Sequence, residues 1–186
     1  DEIEELRKKA EEIIRRMEDL VRRNTETIKR SIETLKKLID ENRRRVRKII
    51  ETMKELKRRG GEDKETLLRR IDELLRRVEK HSKDSSDTVK RIHEENEKHS
   101  RDSSRKIEEL LKTLRDLAED VKRKIDKEEV KEAIERLVRR VEEVVRKVRE
   151  ENKRLNEESE EVVRRADRTN REILKRVRDA VREVRR

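Results

Sequence analysis

The chain has only three histidines, His81, His93 and His99, and they are its only side chains that ordinarily titrate near neutral pH. They are 12 and 6 residues apart, which on one helix separates them by about 18 and 9 Å. That is too far to share a metal ion within one chain, and only symmetry-related copies could gather them. Serine adjoins histidine at His81–Ser82 and His99–Ser100. Neighbouring helical residues diverge by about 100°, so neither pair forms a nucleophile with its base. The 48 Asp and Glu residues are interleaved with 58 Lys and Arg and read as a solvated surface. The sequence therefore predicts no enzyme, no cofactor, no metal site and no small-molecule substrate.

The histidines belong to a wider polar window. From Glu79 to Lys106 the only apolar residues are Val89 and Ile92, and the seam reads Ser82, Ser85, Val89, Ile92, Asn96, His99, Ser103. Eleven of the chain's 25 Ser, Thr, Asn and His residues fall in this window. The rest of the surface is almost all Glu, Lys, Arg and Asp, so small uncharged residues at seam positions point to burial rather than to solvent. The window also repeats itself: Glu79-Lys80-His81-Ser82-Lys83-Asp84-Ser85-Ser86 recurs, with Arg for the second Lys, from Glu97 to Ser104. An offset of 18 is five helical turns, so both copies point the same way, about 27 Å apart.

Such residues need helices to position them. Apolar residues recur in steps of three and four at Ile3, Leu6, Ala10, Ile13, Met17 and Leu20, then at Ile28, Leu35, Leu38, Val46, Ile49, Met53 and Leu56. With Asn24, Ser31 and Asn42 filling the gaps, the period is about 3.5, that of a left-handed supercoil. A second row, Ile14, Val21, Ile32, Ile39 and Ile50, widens the stripe enough to touch two neighbours. The only glycines, Gly60 and Gly61, follow Lys57-Arg58-Arg59 as a helix end should, and Asp63 offers the next N-cap. Asp126 and Glu129 form a capping-box-like pair after Lys122-Arg123-Lys124. The prediction is an all-α fold and one domain over 1–186: an up-down-up three-helix bundle with helices at about 3–59, 64–124 and 127–186.

Reflection about the two turns then sets heights. His99 comes level with Asn24, Thr25 and Asn152; His81 with Asn42, Thr169 and Asn170; His93 with Ser31 and Ser159. Asn156 joins the helix-three set. Polar groups at shared heights can satisfy one another, whereas each left unpaired costs about 1–3 kcal/mol. The predicted network is His81, Ser82, Ser85, His93, Asn96, His99, Ser100 and Ser103 with Asn24, Thr25, Ser31, Asn42, Asn152, Asn156, Ser159, Thr169 and Asn170, fixing register. If the three rings are buried and neutral, acid should open the fold between about pH 6 and 4.

Composition removes other classes. A charged fraction of 57% with 28% hydrophobic would read as disorder without the spacing. No stretch is apolar enough to span a membrane, and no Trp or Phe anchors a stripe at its surface. The net charge of +10 is interleaved and lacks aromatics to stack on bases, which argues against specific nucleic-acid binding. The run Arg43-Arg44-Arg45 with Arg47 and Lys48 supports a second reading, a basic helical module for an acidic partner or polyanion.

Near-equal helices without proline or aromatics, the Gly60-Gly61 turn, Glu/Arg/Lys on every exposed face and the duplicated His81–Ser86 and His99–Ser104 module resemble de novo designed helical bundles with buried hydrogen-bond networks. The histidine content is similar to that of designs meant to lose structure or assembly in acid. The resemblance implies a structural scaffold or self-assembling subunit, a homo-oligomer in many such designs. It also implies a soluble product expressed in a recombinant cytoplasm, since no targeting segment sets a location.

Overall fold

The computed structural model describes residues 1–60 and 64–185. They form α1 (Glu2–Arg59), α2 (Lys64–Lys124) and α3 (Glu128–Arg185), with no strand among the described residues. The predicted boundaries agree to within two residues at every end that is described. Asp1 caps α1, its Oδ1 accepting the Ile3 N–H at 3.3 Å and its carbonyl the Glu5 N–H at 3.1 Å. At the other end Gly60 takes φ +47, and its N–H reaches the Leu56 carbonyl at 3.3 Å. A Cβ there would meet nothing within 4 Å. The preference for glycine is therefore a backbone matter, worth about 1–2 kcal/mol. Gly61 and the expected cap Asp63 lie outside the described residues. The Asp126–Glu129 pair does not form: α3 starts at Glu128, and Lys127 offers its carbonyl to the Lys131 N–H at 3.2 Å.

The described residues make two compact units, Asp1–Ile28 with Glu94–Glu158, and Lys29–His93 with Ser159–Arg186. Each holds a segment of all three helices. Within the first, Arg115 meets Glu142 and Lys122 meets Glu135. As one number rises the other falls, so α2 and α3 are antiparallel there. In the second, Arg45 reaches the Arg77 carbonyl and Asn42 reaches Ser82, which makes α1 and α2 antiparallel.

The first unit is centred on Leu6, Ala10, Ile13, Met17 and Leu20 of α1, packed with Ile107, Leu111, Leu114 and Val121 of α2 and with Ile134, Val141 and Val145 of α3. The second has one cluster around Ile49, Leu56, Ile71, Val78 and Val177 and a smaller one of Leu35, Leu38, Val89 and Ala166. Truncating a sealed side chain such as Leu114 to alanine costs about 2–5 kcal/mol. The second apolar row of α1 is less covered than its spacing implies. Val21, Ile32 and Ile39 are half-buried, whereas Ile14 and Ile50 are 37% and 39% exposed. No described helix is long and apolar enough to cross a membrane.

Candidate functional site

The polar residues of the first unit close into two layers. Asn24, 1% exposed, donates through Nδ2 to Asn152 Oδ1 and accepts on Oδ1 from the Ser100 hydroxyl at 3.0 Å. One asparagine thus bonds to both neighbouring helices. One turn further along α1, Thr27 Oγ1 lies 3.1 Å from Asn96 Oδ1 and 2.9 Å from the Arg23 carbonyl, which share its single proton. Asn156 Oδ1 is buried and meets no donor.

The second unit has a matching layer with fewer bonds. Asn42, 0% exposed, donates through Nδ2 to Ser82 Oγ at 2.6 Å. The Oδ1 atoms of Asn42 and Asn170 are both buried without a partner. Elsewhere in this unit Ser86 donates to Asp167 Oδ1 at 2.6 Å, an oxygen that Lys90 also approaches at 3.4 Å. His93 is buried, its Nδ1 2.7 Å from Ser159 Oγ. Ser31 Oγ is buried and unmet.

The histidines depart from the sequence expectation. His93 alone is bonded across helices to a Ser, Thr or Asn side chain. His81 is half-buried and sits on its own helix's Ser85 at 3.5 Å, with Glu41 of α1 at 2.9 Å from Nε2. His99 is half-buried, with Nε2 3.3 Å from Ser103 Oγ, also on α2. The reason is angular: in each module copy the serine after the histidine, Ser82 or Ser100, points into the seam. The ring, about 100° away, stays at its edge. Burial lowers the pKa of His99 below its ordinary 6.5; Arg23 and Lys106 lower it further, and Asp102 pulls it back up. Two remaining candidates do other things. Thr25 bonds its own helix at the Val21 carbonyl, 2.9 Å away, and Thr169 is half-buried at the edge of a cleft.

Spacing could have revealed Thr27, which lies three residues after Asn24 and four before Ser31, on the same seam. Arg23, Glu41 and Asp167 carry no comparable signal, because the chain is full of such charges. Their roles come from which neighbour they meet. The matched layers also share an offset beyond the module itself: Asn24 and Asn42, Ser82 and Ser100, and Asn152 and Asn170 are each 18 residues apart. All three helices therefore repeat the same element.

No protein-family model matches the chain, and no curated protein matches it. A solved structure described as a "Computationally designed three helix bundle" is similar, with a TM-score of 0.50 and 21% identity over 98% of this chain and 88% of that one. At that identity the likeness speaks to architecture, and it agrees with the element order: the chain folds as a three-helix bundle.

Proposed function

We propose that the chain is a designed structural scaffold whose polar layers set the register of its helices, and that acid loosens it. The observation that carries this reading is the repeat of 18 on all three helices, with an Asn–Ser bond joining α1 to α2 in each unit. A seven-residue slip of α2 would set Asn42 against Val89 or Leu75 and Asn24 against Ile107 or His93. Each amide left unpaired by such a slip costs about 1–3 kcal/mol. That penalty separates the native register from its neighbours more sharply than a uniform apolar seam would. The similar solved structure is itself described as designed, which favours the same origin here. A variant with Asn24, Asn42, Ser82, Ser100, Asn152 and Asn170 all changed to Leu should still be helical but give more than one set of amide resonances. A single set would defeat the register role.

The acid response centres on His99. Its pKa is lowered in the fold, so the fold favours the neutral ring. The associated stability is present above pH 6.5 and is lost as pH falls through the lowered folded value. Arg23 of α1 and Lys106 of α2 oppose the new charge, Asp102 of α2 favours it, and no α3 charge belongs to that set. The other two rings have carboxylates at hand: Glu41 faces His81 at 2.9 Å, and Glu160 brings an oxygen within 4.8 Å of a His93 ring nitrogen. Glu97 follows His93 by one turn of α2. A second acid step is expected lower, where Glu119, Glu151 and Glu161 lose the support of Lys122, Arg154 and Arg168 that holds them below 4.5. The urea midpoint should fall between pH 6.5 and 5, and His99→Asn should remove that fall while leaving the lower one. A midpoint flat down to pH 5 rejects the histidine step.

A further inference from the structure

In the second unit α1 and α3 enclose a cleft of about 340 Å³. Ile39, Val46 and Ile173 give it an apolar, half-buried lining, while Arg43, Arg47 and Arg176 stand exposed around it. None of these three arginines has an ion-pair partner among the described residues. Asn42 also lines the cleft, and its fully buried Oδ1 accepts no hydrogen bond. The first unit does not repeat this arrangement. Asn24, the counterpart of Asn42, has both ends of its amide engaged.

We infer that this cleft is a binding site for a small organic anion with an apolar body and one N–H or O–H donor. Each part of that ligand answers a feature of the cleft. The anionic group finds three guanidiniums with no competing carboxylate partner, and guanidinium binds sulfonate, phosphate or carboxylate through paired N–H donors. The apolar body covers isoleucine and valine surface that the bundle leaves half-wet. The donor meets Asn42 Oδ1, a buried acceptor that α2 does not satisfy, removing a penalty the free protein carries. Glu172 on the rim disfavours a ligand of dense charge and favours one whose charge is confined to one end.

The probe is 8-anilinonaphthalene-1-sulfonate, which has a sulfonate, an aromatic body and an anilino N–H. At pH 7.5, well above the acid range, the intact chain should bind it in a 1:1 complex with enhanced fluorescence. Arg43→Glu with Arg176→Glu should weaken binding at least about tenfold, since attraction becomes repulsion at two of three contacts. Lys37→Glu with Lys48→Glu makes the same charge change on the far side of α1, more than 100° from Arg43, and should leave binding within about twofold. Asn42→Leu should weaken it by roughly two- to tenfold, the range of one neutral hydrogen bond. Urea midpoints and helical circular dichroism confirm that each variant is folded, and the arginine pair is surface-exposed, so that arm stands even if Asn42→Leu unfolds the protein. Absence of 1:1 binding overturns the inference, as does equal weakening by the two charge-reversal pairs. Displacement of the dye by tripolyphosphate at the dye's own affinity also overturns it, because a purely electrostatic surface needs no apolar body.

Discussion

The two units contain the same polar module against opposite surroundings. In the first, Asn24 joins Ser100 and Asn152 in one closed set of bonds, and the module's ring, His99, has Arg23 among the charges acting on it. In the second, Asn42 holds only Ser82, two amide oxygens go unmet, and the ring, His81, faces Glu41. Arg23 and Glu41 are also 18 residues apart, so one repeat position on α1 carries opposite charges. Local sequence that differs only by Lys83 for Arg101 therefore meets opposite charges across the helices. What a buried polar residue does is decided by the helix across from it, and the repeat alone cannot tell the two copies apart.

The largest effects should come from deleting the asparagines. Asn24→Ala removes two interhelical bonds, strips Asn152 Oδ1 of its donor and leaves a cavity. It should cost about 2–4 kcal/mol, read from the urea midpoint at fixed slope. Asn42→Ala removes a single bond and takes an unmet acceptor with it, so about 1–2 kcal/mol is expected. Equal losses would erase the distinction between a closed layer and an open one.

A second pair reverses sign. Asn152→Leu deprives Asn24 Nδ2 of its acceptor and should destabilise by about 1–3 kcal/mol. Asn170→Leu removes an amide whose oxygen is already unsatisfied and adds apolar surface, so it should be neutral or stabilising by up to about 1 kcal/mol. Thermal or urea unfolding of the two variants settles this directly, and a destabilised Asn170→Leu would mean that Asn170 has a partner the static structure does not display.

Much of the architecture was legible because helices announce themselves through spacing. Threes and fours of Ile, Leu and Val gave α1 from Ile3 to Leu56. The basic run and the first glycine gave its end, and reflection about the turns brought Asn24 level with Asn152 and His93 level with Ser159. Rotation was harder to read than height. A step of 100° separates a ring at the seam's edge from a serine inside it: Ser82 holds the seam place its spacing gave it, whereas Ser100 took the inner place expected of His99. Thr27 was passed over for Ile28 for the same reason, although both proved buried. The basic run from Arg43 to Lys48 was legible, but the cleft beside Asn42 was not, since it depends on which residues of α1 and α3 end up facing each other.

The smallest expected effect tests the charges facing the two rings. Arg23→Glu gives His99 the acidic neighbour that His81 has, and Glu41→Arg gives His81 the basic one that His99 has. The first change removes one of the two cations that lower the His99 pKa and adds an anion that raises it, so the loss of stability between pH 6.5 and 5 should shrink. The second turns a favourable contact at 2.9 Å into a repulsive one whenever the ring is charged, so acid should now weaken the second unit as well. Both sites are half-exposed, which keeps each change below about 1 kcal/mol and makes it smaller still in high salt. Urea midpoints across that pH range, with and without added salt, should therefore move in opposite directions for the two variants. Movement in the same direction would overturn the claim that the charge opposite each imidazole sets its response to acid.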